Sequence, residues 1–174
     1  MNDSVLRSAL TSGSVASLLS AIVLASRGRH ETPHPAAPLN AVGHWLYGDR
    51  AFRIDRPTWR HTGVGMAIHH ASAVFWGVLQ ELLLRRIEQR DRAARRRDRP
   101  RTGTAVPGPA DRLATAAVVT GIAALTDLRL VPPRLSPGFE HRLRPASVAW
   151  VYVAFGAGLA LGAALSHRSR RHGA

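Results

Sequence analysis

Apolar residues along this chain gather into four runs, separated by polar connectors that carry almost all of its arginines. The central run, from Thr62 to Leu84, holds 23 residues without a lysine or arginine. As a helix rising 1.5 Å per residue it extends about 34 Å, enough for a hydrocarbon core of about 30 Å. The runs predict spans at about residues 5–26, 62–84, 113–131 and 147–166. The expected fold is all-α: a single membrane domain over residues 1–174, built as an integral membrane four-helix bundle.

The runs differ in texture. In the first, Ala9, Gly13, Ala16, Ser17 and Ser20 recur at helical spacing, and small residues let membrane helices approach closely. A cleaved signal peptide is the competing reading, because Val23-Leu24-Ala25 before Ser26 resembles a cleavage site. The serine, threonine and glycine interruptions argue against it. The third run carries Ala117 and Gly121, and the fourth carries Gly158 and Gly162; both are small-xxx-small pairs expected at helix contacts. Trp150 and Tyr152 open the fourth run, where an interfacial position suits them.

Between the first two runs lies a connector with Leu39, Val42, Trp45 and Leu46 at helical spacing. It predicts a short interfacial helix in the first outer connector, with Trp45 and Tyr47 at headgroup level. Residues 85–112 form a loop with ten arginines and four acids. Such charge runs are solvated, and Arg85, Arg86, Arg95, Arg96 and Arg97 are placed to meet anionic lipid headgroups.

Arginine is the only strongly basic residue type, 24 in all, and the formal net charge is +13. A charge so positive suggests nucleic acid or an anionic membrane, but these arginines lie between and beyond the apolar runs, so a nucleic-acid partner is not expected. Their distribution orients the chain instead. With both termini inside, 14 of the 24 arginines, including those of the 85–112 loop, are cytoplasmic, so the topology is N-in/C-in. The absence of cysteine removes disulfides and thiolate metal sites.

Candidate chemistry gathers on one side of this arrangement. His69 and His70 lie about 11 to 12 Å below the outer boundary, and Asp127 about 6 Å below it. Asn40, His44 and Asp49 belong to the first outer connector, Glu140 to the second. Imidazole and carboxylate make this a candidate site for a divalent metal or a partner, and histidine also titrates near neutral pH. Ionisable residues at membrane depth are costly and count as functional candidates. Adjacent histidines point about 100° apart on a helix, and no HExxH pair is present, so hydrogen bonds to a neighbouring helix are the simpler role for both. Glu81 is expected to pair locally with Arg85, one turn on.

Three stretches together, NAVGHWLYGD at 40–49, HHASAVFW at 69–76 and TDLRLVPPRLSPGFE at 126–140, resemble an uncharacterised family of small bacterial membrane proteins with four predicted spans. Relatives favour an aromatic after the aspartate, where Leu128 stands here. The resemblance implies a multi-pass protein of a bacterial inner membrane and draws attention to Asn40, His44, Asp49, His69, His70, Asp127 and Glu140. It implies no activity. No catalytic residue or cofactor is assigned. The expected class is a binding or scaffold protein, in the lipid bilayer alone, as a homo-oligomer or with a membrane-protein partner. The rival is a membrane-embedded enzyme or proton-coupled carrier using His69 or His70 with Asp127.

Overall fold

The computed structural model describes residues 3–98 and 107–172, and among these the only regular structure is helical. Four long helices dominate: α1 (Asp3–Glu31), α4 (Val64–Asp98), α5 (Pro109–Leu125) and α6 (Pro145–His172). Two short ones, α2 (Ala37–Val42) and α3 (His44–Tyr47), lie in the first connector. Among the described residues, three helices are long and apolar enough to cross a membrane: α1, α5 with the turn that extends it to Leu130, and α6 up to His167. The α4 helix is longer, but His69, His70, Gln80 and Glu81 dilute its apolar character.

The α1 helix packs against both α4 and α6, and α5 leans on α6 and α4. Lipid tails are as apolar as leucine, so such contacts rest on close van der Waals approach. The small residues of α1 supply it. A Cβ on Gly13 would lie 2.6 Å from the Val74 Cα, and one on Gly77 2.8 Å from the Ala9 carbonyl oxygen. On the other side of α1, a Cβ on Gly158 would collide with the Ala16 Cα, and one on Gly162 with the Ser12 Cα. Position in α1 falls as position in α4 or α6 rises, so both neighbours run antiparallel to it. Ala117 and Gly121 behave differently from their expected packing role. Both are exposed, and a Cβ on Gly121 meets nothing within 4 Å, because α5 turns its Val119–Ala123 side inward.

Both connectors fold over one end of the helices. The α2 helix wedges into the helix ends, burying Pro38 against Gly28 and setting the Leu39 carbonyl on Gly65. Of the large apolar residues in the first connector, Leu46 and Trp59 stay outside, the latter 92% exposed. Gly138 adopts φ +86°, a conformation glycine takes without strain, and a Cβ there would lie 2.7 Å from His44 Nδ1. The Trp45 indole N–H donates to the Ser136 carbonyl at 2.7 Å, and the Arg142 guanidinium reaches the Phe52 carbonyl and the Asp55 carboxylate. The α1 helix joins the same cap. Glu31 accepts from the Arg144 backbone N–H at 2.7 Å and from the Ser147 hydroxyl, covering the start of α6.

Candidate functional site

Beneath this cap lies a cavity of about 420 Å³, partly open and walled by α1, α4, α5, α6 and both connectors. Its lining is mostly apolar: Ile68, Ala73, Ala123, Val131 and Val151 sit among Trp45, Phe75, Trp76, Phe139, Tyr152 and Phe155. Phe75 and Leu135 are 57% and 46% exposed, so the rim itself is apolar. A concave apolar space with a few convergent polar groups is the usual form of a small-molecule site.

Two polar pairs interrupt the lining. On one wall the Ser20 hydroxyl lies 2.9 Å from His69 Nε2. The Ser20 hydroxyl also lies 2.7 Å from the Ala16 carbonyl, so it ties the imidazole to the backbone of α1. On the other wall the Tyr152 hydroxyl donates to Asp127 Oδ2 at 3.1 Å. Asp127 stands in a π-helical turn, Thr126–Leu130, in which the Val131 N–H reaches the Thr126 carbonyl at 3.0 Å. Such turns shift the register of the residues they carry and recur at functional sites.

The remaining residues singled out from the sequence are dispersed. Asn40 is fully buried and clamps the first connector: its amide donates to the Ile54 and Arg56 carbonyls at 2.9 and 3.0 Å, and its oxygen accepts from Thr62 at 2.6 Å. His44 is buried between the Ala41 and Pro133 carbonyls at 2.9 and 3.2 Å, tilted against Phe52. Asp49 is exposed. Glu140 is half-buried, 3.8 Å from His141, and near enough to Asp127 and Tyr152 to act on them through its charge. His70 makes no hydrogen bond or ion pair with the described residues. Among the described residues no three of histidine, aspartate and glutamate are grouped to hold a metal ion, and neither His69 nor His70 is bonded to a carboxylate.

At the opposite end of the helices, Glu81 is 2% exposed, with Arg85 Nε at 3.5 Å and His167 Nε2 at 3.7 Å. The local pair with Arg85 is therefore joined by a histidine of α6. Gln80 donates to the Leu159 carbonyl at 3.2 Å, and Arg85 to the Ser4 hydroxyl at 2.7 Å. Arg86 is exposed, while Arg95, Arg96 and Arg97 continue the helix with side chains outside the described set.

Sequence reasoning did not single out Ser20 as a partner for histidine, nor Tyr152 as a partner for Asp127. Tyr152 had the look of an interfacial aromatic, yet it shares a helix face with Phe155 and Leu159, the inward side of α6. That spacing was the available signal. Comparison with protein-family models, curated proteins and solved structures yields no match.

Proposed function

We propose that this chain is a four-span protein of a bacterial inner membrane, with both termini cytoplasmic, that binds an amphiphilic small molecule in the cavity beneath its connector cap. The observation that carries the reading is the cavity itself: about 420 Å³, lined by apolar and aromatic side chains, with two hydrogen-bonded polar pairs in its walls. A concave apolar space with a few convergent polar groups suits a small molecule, and its open side gives an occupant a way in. The exposed rim of Phe75 and Leu135 suits entry from the side, through lipid. The four-span reading gives α4 a membrane position despite its polar residues. His69, Gln80 and Glu81 all have partners on α1 or α6, which removes much of the cost of holding them at membrane depth. The arginine-rich end of α4 then meets the anionic inner leaflet.

The test is mass spectrometry of small molecules and lipids retained by protein purified in mild detergent. Wild type is compared with Ala123→Phe and Ser72→Phe, which fill the cavity from α5 and from α4. The expected result is a molecule held in near-stoichiometric amount by wild type and lost from whichever variants keep the wild-type melting profile. Equal retention by folded variants, or none by wild type, overturns the reading.

A further inference from the structure

Resting on the cavity as a binding site, we propose that its ligand is a lipophilic organic cation: an alkylammonium-type amphiphile with its head beside Asp127 and its tail toward the Phe75 rim. The charge lining the cavity is one-sided. Among the described residues Asp127 is the only acid in its wall, and Glu140 stands close behind it with one buried carboxylate oxygen that lacks a hydrogen-bond partner. Among the described residues no arginine lines the cavity, and none lies within ion-pair distance of Asp127. Among the described residues His69 is the one basic side chain in the wall, and its Nε2 is bonded to Ser20. A carboxylate set in apolar surroundings with a single neutral donor is an incomplete pair, and a cationic head supplies the missing charge. An anionic head would meet two carboxylates instead.

The aromatic lining points the same way. Six of the ten aromatic residues of the chain, namely Trp45, Phe75, Trp76, Phe139, Tyr152 and Phe155, border this one space. Ring faces attract organic cations, most strongly where water is excluded. A neutral alcohol of equal chain length gains the apolar contacts and a hydrogen bond, without that attraction or the charge pairing.

Three probes with the same ten-carbon scale separate these cases: decyltrimethylammonium, decanol and decanoate. Each is titrated calorimetrically into wild-type protein in phosphatidylcholine nanodiscs, with empty nanodiscs subtracted. The expected result is saturable binding of the ammonium, about tenfold tighter than decanol, with decanoate weakest. Asp127→Asn, which keeps the shape and the bond to Tyr152, should erase the preference for the ammonium and leave decanol unchanged. Decanol or decanoate binding as tightly as the ammonium to wild type overturns the cation assignment and leaves the cavity reading standing. An undiminished ammonium preference in folded Asp127→Asn also overturns the assignment. No saturable binding of any probe overturns both. The wild-type comparison decides the matter even if Asp127→Asn does not fold.

Discussion

Single residues in this chain do opposite things in the same sequence pattern. Gly158 and Gly121 each sit in a small-xxx-small pair, yet one faces the Ala16 backbone with no room for a methyl group and the other faces open space. Gly158→Ala therefore forces α1 and α6 apart and should cost about 1 to 3 kcal/mol, the usual range for overpacking. Gly121→Ala should be neutral or stabilising by up to about 1 kcal/mol, because alanine is the better helix former. Thermal melting of both variants in one detergent checks the contrast. If Gly121→Ala melts as early as Gly158→Ala, the outer face of α5 is covered by another protein surface, as a homo-oligomer would do. Spacing identifies a small-residue stripe but not the rotation of its helix, and rotation decides which stripe is a seam.

At the scale of elements, the ends of α1 and α6 are joined by one carboxylate. Glu31 lies past the apolar run of α1 and accepts from the Arg144 N–H, one of the donors that the start of α6 leaves unpaired. Glu31→Ala leaves that amide and the Ser147 hydroxyl without their acceptor and should cost about 1 kcal/mol, as loss of a helix cap does. Glu31→Gln, which keeps an acceptor oxygen, should recover most of it. Melting temperatures of the two variants test this, and equal loss in both would mean that charge rather than the bond matters. The long helices were legible as elements because apolar runs of that length have few alternatives. The polar residues of α4 were legible as candidates for the same reason: they stand out against an apolar run. Their partners were not. Ser20 against His69, and His167 against Glu81, join positions 49 and 86 residues apart, and such pairings depend on helix rotation and axial offset that neither run encodes alone. The wedge made by α2 escaped notice because its Leu39, Val42 and Trp45 pattern fits a helix on a membrane surface equally well.

For the whole molecule, the side of the membrane on which the cap and the cavity rim stand decides which leaflet supplies the cavity. The connectors share one helix end, while Ser4, Arg85 and His167 share the other, so the sidedness of one end fixes that of the second. On the proposed topology the cap stands outside, since 14 of 24 arginines then fall on the side of the termini and residues 85–112. Because the chain contains no cysteine, single substitutions report sidedness without a background to remove. Arg50 and Arg90 are both exposed, one in the cap and one beyond the arginine end. In intact cells a membrane-impermeant maleimide should label Arg50→Cys, and Arg90→Cys only after permeabilisation. The reverse pattern would turn the molecule over and open the cavity toward the cytoplasmic leaflet, whose anionic lipids concentrate cations at their surface. Labelling of both in intact cells would mean that α4 does not cross the bilayer, in which case the polar residues along it need no membrane partners. The expected pattern leaves Asp127 under an outward cap, where a cationic amphiphile would reach it through the outer leaflet past Phe75.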